Sequence, residues 1–294
     1  MGKRVAILGG TGRMGRWFAR FFQAKGYEVV IAGRSPERAA KAAEELGVTS
    51  AVSYGEAVMD ADVVVVSTPI EVTAETIREV KDKLTPGTVI FDIASVKGDI
   101  PKALSEAAAL GARALSVHPL FGPGATKLTG KKVIIIPVME DAQLVEWVRG
   151  LFEEDGAETH VVASGEEHDR MVGITLSLTH FINIALAKTL SDQDIREVKK
   201  FAGTTFAMQL MLAEAVLTED PNLYYVIESH NSPFRGILDG FLRAAHDLAS
   251  SLEDRDAFVR IFIEARENLS KDPDFGSAYQ RFYRALELSK TQGE

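Results

Sequence analysis

Two patterns of hydrophobic and polar positions divide this chain of 294 residues. Up to about Val162, short apolar runs rich in β-branched residues alternate with amphipathic stretches of helical period, as in parallel strands joined by crossover helices. After Gly165, helical periodicity dominates to the C-terminus. We therefore predict an α/β fold, with a doubly wound sheet domain over residues 1–164 and a second, all-helical domain over residues 165–294.

The first pattern predicts strands at residues 5–8, 28–32, 62–67, 88–93, 114–117, 133–137 and 158–162, and helices near residues 13–25, 36–46, 72–83, 99–110 and 141–154. The second begins with a helix from residue 166 to about 190 and is interrupted near residues 191–192, 220–221, 231–233 and 272–273. That first helix is apolar on more than one side, which predicts burial between neighbours or across a dimer interface.

The sequence after the first predicted strand is Gly10-Thr11-Gly12-Arg13-Met14-Gly15, and it opens the first predicted helix. In this context the pattern predicts a Rossmann-type dinucleotide site: Gly10 permits the tight turn, Gly12 lets the backbone approach a pyrophosphate, and Gly15 lets helix and strand pack closely. Thr68 and Pro69 end the third predicted strand and should border the nicotinamide side of the cofactor, although a plain turn would have the same sequence.

The end of the second predicted strand indicates which dinucleotide is used. An NAD-selective site usually presents Asp or Glu to the ribose hydroxyls there, whereas this chain has Arg34 and Ser35. Arg34, assisted by Ser35 and by Arg38, is suited to pairing with a 2′-phosphate, which favours NADP over NAD. If Arg34 only stacks on the adenine, NAD is used as well.

The predicted strand at residues 114–117 is followed by His118-Pro119-Leu120-Phe121-Gly122-Pro123. Ligands of open α/β sheets bind at the carboxyl ends of the strands, so we expect this strand to deliver His118 to the site edge. A hydrogen-bonded structural histidine is the alternative interpretation of this segment taken alone.

Composition restricts the function classes. The chain is 46% hydrophobic and 26% charged, as in ordinary globular proteins, and its net charge of -9 argues against general nucleic-acid binding. It has no cysteine, which excludes disulfides, thiolate catalysis and cysteine-based metal sites, and we predict no metal site. The start runs directly into a short strand without a signal peptide or membrane span, so we expect a cytoplasmic protein.

Four collinear segments carry a family resemblance. They are the glycine loop, Asp92-Ile93-Ala94-Ser95-Val96-Lys97, the segment from His118 to Pro123, and His168-Asp169-Arg170 followed by Thr179-His180. Over most of its length the chain resembles the prephenate dehydrogenase family. The resemblance implies a Rossmann-type domain, a helical domain that forms a homodimer, and NAD(P)-dependent oxidative decarboxylation of prephenate to 4-hydroxyphenylpyruvate in tyrosine biosynthesis.

The resemblance also assigns roles to residues. It makes His118 the catalytic histidine, bonded to the ring hydroxyl of the substrate, and Ser95 the serine that orients it. His180 and His168 match histidines of the substrate pocket, and Ser177, one helical turn before His180, could line the same cleft. A solvated His168 and a core His180 are the structural alternatives.

The chain departs from the family pattern in two places. An arginine that holds a substrate carboxylate in many members falls on Ala215, which leaves Lys97, Arg170, Arg235 or a partner subunit to supply the cation. Gly124 stands where some relatives have an acidic residue. Arogenate and 4-amino-4-deoxyprephenate are therefore alternative substrates, and a non-catalytic NADP-binding redox sensor is the alternative to an enzyme.

Overall fold

A computed structural model describes residues 3–290, and within them one sheet of eight strands organises the first part of the chain. The strands are β1 (Arg4–Leu8), β2 (Glu28–Ala32), β3 (Thr49–Ser50), β4 (Val63–Val66), β5 (Val89–Asp92), β6 (Arg113–Pro119), β7 (Lys132–Pro137) and β8 (Glu158–Val161). Their order is β3-β2-β1-β4-β5-β6-β7-β8, and all neighbours are parallel except β6 and β7.

Helices connect the strands and make up the rest of the described chain. In the sheet region they are α1 (Arg13–Ala24), α2 (Pro36–Leu46), α3 (Tyr54–Ala57), α4 (Ile70–Val80), α5 (Ile100–Ala109) and α6 (Ala142–Glu153). After β8 follow α7 (Gly165–Val172), α8 (Leu178–Thr189), α9 (Ile195–Lys200), α10 (Thr204–Leu217), α11 (Pro221–His230), α12 (Phe234–Ser250), α13 (Arg255–Leu269) and α14 (Ala278–Lys290). A π-helical turn, Gly173–Ser177, joins α7 to α8.

Both faces of the sheet are buried, which explains the nearly continuous apolar strands. Successive side chains of a strand point to opposite faces. In β1, Ile7 belongs to one core cluster and Leu8 to the other, and Val65 and Val64 of β4 divide in the same way. Parallel sheets covered on both faces have this composition.

The predicted α/β architecture is confirmed, and each of the seven predicted strands is present with ends that differ by at most two residues. The pattern did not predict β3 or α3, because two strand residues and one helical turn are too short to show periodicity. Helix α4 begins at Ile70, earlier than predicted, since Pro69 occupies its N-cap. Breaks after α9 and after α12 were also not predicted.

The chain forms two compact units. Residues up to Gly173 belong to the sheet unit together with Val226–Pro233, and the helical unit contains Ile174–Tyr225 and the residues from Phe234 onward. The predicted boundary after residue 164 therefore differs from the structural one. Helix α7 stays with the sheet because the Asp169 carboxylate accepts hydrogen bonds from the backbone N–H groups of Lys97 and Gly98.

The segment Gly165–Thr189 is long and apolar enough to cross a membrane by length and composition alone. A packed helix of a globular protein passes the same test, and this segment carries the buried polar residues His168, Asp169, Ser177 and Asn183. Asn183 accepts a hydrogen bond from Gln209 of α10 within the helical unit. The segment is therefore weak evidence for a membrane span.

Candidate active site

A cavity of about 620 Å³ lies at the carboxyl edge of the sheet, beside β1, whose neighbours β2 and β4 extend the sheet in opposite directions. Open α/β sheets bind ligands at such a switch point, and the volume suits a small-molecule site. The loops after β1, β2 and β4 supply most of the lining, which comprises Gly9, Thr11, Gly12, Arg13, Met14, Gly33, Arg34, Ser35, Arg38, Tyr54, Ser67, Thr68 and Pro69.

The glycines of the first loop are required for different structural reasons. Gly9 has a φ of +86°, and a Cβ atom there would clash with the carbonyl group of Ser67. The tight turn therefore requires Gly9, whereas Gly10, to which we assigned it, is needed for close packing on β2. A Cβ atom at Gly15 would clash with the carbonyl group of Gly9, which supports its predicted packing role. At Gly12 a Cβ atom would meet only the Gly9 oxygen, at 3.3 Å, so the backbone there is accessible.

Helix α1 starts at this loop with Gly12 as its N-cap, and no side chain caps it. Its first turn contains no acidic residue. The free amide groups and the positive end of the helix dipole therefore suit a phosphate group. Together with the accessible backbone of Gly12, these features fit a dinucleotide in the cavity.

The lining of the cavity is cationic. Arg13, Arg34 and Arg38 line it, and no Asp or Glu is among its described lining residues. Ser35 has a different role from the predicted one: its Oγ accepts a hydrogen bond from the N–H of Arg38 and donates to the Glu37 carboxylate at 2.7 Å. Because the hydroxyl caps α2, Ser35 contributes less to anion binding than the arginines.

His118 lies inside β6, near its carboxyl end, and only 3% of its surface is exposed. Its Nδ1 atom is 2.8 Å from Nε2 of His168, and Nδ1 of His168 is 2.8 Å from Oδ1 of Asp169. Helix α7 thus supplies both partners of a buried chain of three side chains. We call it the Asp169–His168–His118 relay.

The hydrogen bonds of Asp169 determine which atoms of this relay donate and which accept. Its carboxylate accepts from the backbone N–H groups of Lys97, at 2.8 Å, and Gly98, at 3.0 Å, so it is an acceptor toward His168 as well. Neutral His168 then carries its proton on Nδ1 and accepts at Nε2 from Nδ1–H of His118. The Nε2 atom of neutral His118 is left with its lone pair, which is the form of a general base.

Burial keeps both imidazoles neutral. It holds the pKa of His118 well below its ordinary value, and the neighbouring His168 and the charged Lys97 lower it further. Burial also lowers the pKa of His168, although its hydrogen bond to Asp169 opposes the shift. His118 is therefore uncharged at neutral pH.

Lys97 is fully buried between strands and is not available to a substrate carboxylate, so its predicted binding role is wrong. Its Nζ atom donates to Oδ2 of Asp92 and to the carbonyl oxygen of Val117, both at 2.8 Å. Asp92 also accepts from Ala94 N–H at 2.8 Å and from the Ser116 hydroxyl. Burial lowers the pKa of Lys97, whereas the carboxylates of Asp92 and Asp169 raise it.

Two further roles differ from the predicted ones. His168 is neither solvated nor open to a substrate, because both of its ring nitrogens are bonded to other side chains. Ser95 is half-buried in the loop after β5, and among the described side chains the hydrogen-bond partner of His118 is His168. The residue that orients His118 is therefore His168. The aspartate that follows it in sequence was the available signal.

The helical unit contains Ser177, His180 and Arg235, whereas Arg170 belongs to the sheet unit. Ser177 is fully buried and His180 is half-buried, with its ring 4.3 Å from that of Tyr224. Within residues 3–290, Oγ of Ser177 and Nδ1 of His180 have no hydrogen-bond partner. Such buried polar atoms need a ligand or water to complete them. Arg235 is exposed at the start of α12, and Arg170 is exposed on α7.

Known proteins resemble this chain over most of its length. The sequence profile of the prephenate dehydrogenase nucleotide-binding domain matches residues 18–161, and that of the prephenate dehydrogenase dimerization domain matches residues 164–264. A probable arogenate/prephenate dehydrogenase of Methanocaldococcus jannaschii is 33% identical over 94% of the chain, and a T-protein of Haemophilus influenzae is 27% identical over 90%. The chain spans 63% and 66% of the lengths of these two relatives.

The fold also matches a solved structure. Prephenate dehydrogenase from Aquifex aeolicus, in complex with hydroxyphenyl propionate and NAD⁺, superimposes with a TM-score of 0.71 at 22% identity, covering 92% of this chain and 98% of that one. With both family domains matched in order, the chain belongs to the prephenate dehydrogenase family.

Proposed function

We propose that the chain is an NAD(P)-dependent dehydrogenase that converts prephenate to 4-hydroxyphenylpyruvate by oxidative decarboxylation. The observation that carries the proposal is the Asp169–His168–His118 relay, which leaves a basic Nε2 atom near the carboxyl end of β6. The dinucleotide cavity lies at the carboxyl ends of parallel strands of the same sheet.

The chemistry follows from a neutral His118. When bound, the dinucleotide supplies the acceptor for the hydride that the carbinol carbon of the substrate loses. As positive charge develops on that carbon, Nε2 of His118 takes the hydroxyl proton. Cleavage of the bond to the ring carboxylate releases carbon dioxide and leaves its electron pair in the ring, which becomes aromatic. The proton then returns to the phenol oxygen, so no net proton is consumed.

On the substrate side we propose Ser177, His180 and Arg235 as ligands. The unpartnered Oγ of Ser177 and Nδ1 of His180 are suited to hydrogen bonds with substrate oxygens. Arg235 is an exposed guanidinium that can form a bidentate pair with a carboxylate. Because Lys97 is buried, the candidates for the required cation are Arg235, Arg170 and a residue of a partner subunit.

The test is a substrate panel of prephenate, arogenate and 4-amino-4-deoxyprephenate, each with NAD and with NADP. Formation of reduced nicotinamide is followed by absorbance. We expect turnover with prephenate. Turnover with arogenate alone would change the substrate within the same chemistry. No turnover with any of the three would favour the redox-sensor alternative.

We further propose that NADP is the preferred cofactor, because three arginines and no carboxylate are among the described residues that line the cavity. Changing Arg34 to alanine is expected to raise KM for NADP by roughly tenfold and to change KM for NAD much less, because only NADP carries the 2′-phosphate. The measurement is initial rate against the concentration of each cofactor.

Arg149→Ala is the matched control, since Arg149 is an arginine of α6 whose ion pairs, with Glu146 and Glu153, lie outside the cavity. Its KM values should equal those of the unchanged protein. Equal losses of NAD and NADP affinity in Arg34→Ala would mean that Arg34 stacks on the adenine instead.

The pH profile should report the lowered pKa of His118. Because only neutral His118 accepts a proton, kcat/KM is expected to stay constant as pH falls through about 6.5, the ordinary histidine pKa, and to decline only at lower pH. The measurement is kcat/KM against pH with the proposed substrate.

Folding stability should also depend on pH, but here the cause is protonation of histidines in the unfolded chain. Below about pH 6.5 the unfolded chain protonates His118 and His168 while the folded chain does not, so stability must decrease as pH falls. Denaturation at each pH separates this loss from the kinetic effect. An acid limb of kcat/KM near 6.5 in folded protein would contradict a lowered His118 pKa.

We also propose a homodimer through the helical domain. The dimerization-domain profile covers residues 164–264, and α13 leaves Phe258, Val259, Phe262 and Ile263 exposed at i, i+4 spacing. Light scattering on the intact chain and on Phe262→Glu tests this: a dimer that the charge dissociates supports the proposal, and a monomeric parent protein refutes it.

A further inference from the structure

A second cavity, of about 680 Å³, lies beside helix α1 in the sheet unit. Trp17, Arg20 and Phe21 of α1 form one wall, and residues 123–129 of the loop between β6 and β7 form another. It has no lining residue in common with the dinucleotide cavity. Nothing in the proposed reaction uses it.

Two stacked aromatic rings contribute to the wall of this cavity. Trp17 and Phe21 stack with ring centroids 5.1 Å apart and planes 18° from parallel, and both remain only half-buried. The Trp17 Nε1–H group donates to the carbonyl oxygen of Ala125 at 2.8 Å, which holds the indole against the loop. Trp17 and Phe21 stack on each other, and Phe21 also stacks on Phe152, so a ligand meets the parts of the two rings that remain exposed. Aromatic rings pack favourably edge-to-face or offset against a further planar ring.

The charges around the cavity favour an anion. Arg20 and Lys127 both line it and are exposed, and in the part of the chain that the structure describes neither forms an ion pair. Asp155 is the single carboxylate among the described lining residues, and it is paired at 3.0 Å with Lys25. Two cations are therefore left without a counter-charge beside an aromatic surface.

We propose that this cavity binds a small planar aromatic carboxylate, with its ring against the exposed parts of Trp17 and Phe21 and its carboxylate between Arg20 and Lys127. A guanidinium and an ammonium together satisfy both carboxylate oxygens. The proposal does not depend on the catalytic function, because the second cavity is separate from the relay and from the glycine loop.

The two tryptophans of the chain, Trp17 and Trp147, make the test direct. In a Trp147→Phe variant the remaining indole reports only on this cavity. Titration with phenylacetate, in the presence of saturating NADP, is expected to change Trp17 fluorescence saturably with a dissociation constant on the order of 1 mM. Cyclohexylacetate, which lacks the flat ring, and 2-phenylethanol, which lacks the charge, should each bind at least about tenfold more weakly.

Arg20→Gln/Lys127→Gln in the same background should weaken phenylacetate binding by about tenfold or more, since both counter-charges are removed. These side chains are exposed, so the variant is expected to fold. Arg34→Ala, in the other cavity, should leave the titration unchanged. Equal binding by the double variant, equal binding of cyclohexylacetate, loss of binding in Arg34→Ala, or the absence of any saturable signal would overturn the proposal.

Discussion

Replacing His118 with asparagine is expected to lower kcat by about a hundredfold or more and to leave the dissociation constant of the dinucleotide within about twofold. Asparagine keeps an N–H group that can donate toward His168, but it has no basic nitrogen in the position of Nε2. His118 does not line the described dinucleotide cavity, so cofactor binding should persist. Steady-state turnover and calorimetric titration with the cofactor measure the two quantities.

His160→Asn is the matched control. His160 lies on β8 of the same sheet with an exposed side chain, so this variant loses an imidazole without touching the relay. We expect its kcat to equal that of the unchanged protein. Undiminished turnover in His118→Asn would remove the relay from the mechanism, and a similar loss in both variants would point to a general effect on folding.

Most of the fold was predictable because its determinants are local. The β-branched runs of β1, β4 and β5, which are buried on both faces, are apolar at nearly every position, and this pattern depends only on neighbouring residues. The glycine loop was predictable for the same reason. What the pattern missed was short or was set by packing, as with β3 and with Gly9, where a Cβ atom would clash with the carbonyl group of the distant Ser67.

The relay could not be predicted from local patterns. His118 and His168 are brought together because α7 packs against the loop after β5, where Asp169 bonds to the backbone of Lys97 and Gly98. Periodicity does not reveal whether a polar side chain at a helix start is buried. The sequence therefore identified His118 and His168 as functional candidates but assigned the second to the substrate and left Asp169 without a role.

The burial of Lys97 could not be predicted from local patterns either, and it has a larger effect on folding stability. Its Nζ atom has no exposed surface and joins Asp92, at the end of β5, to the Val117 carbonyl, next to His118 in β6. Since a lone buried charge is far more costly than a paired one, each partner of this ion pair requires the other. The charge of Lys97 also lowers the pKa of His118, so the residue affects both folding and the relay.

Lys97→Met is accordingly expected to reduce the free energy of unfolding by about 3–5 kcal/mol, because it leaves the Asp92 carboxylate buried without a cation. Chemical denaturation measures the loss. In the fraction that remains folded, removal of the positive charge should raise the pKa of His118, so the acid limb of kcat/KM should move to higher pH. A role limited to packing would lower stability without this shift.

The stability loss could come from the unpaired Asp92 charge or from the lost contact of Lys97 with the Val117 carbonyl. The double variant Asp92→Asn/Lys97→Met distinguishes these two causes. It removes both charges, and the asparagine oxygen can still accept from Ala94 N–H while its NH2 group donates to the Ser116 hydroxyl oxygen, so most of the lost stability should return. Lys81→Met breaks the partly exposed pair with Glu106 and should have a much smaller effect, since solvent screens that pair. If the double variant is as unstable as Lys97→Met, an unpaired Asp92 charge is not the cause, and the lysine stabilises the sheet through its contact with Val117 instead.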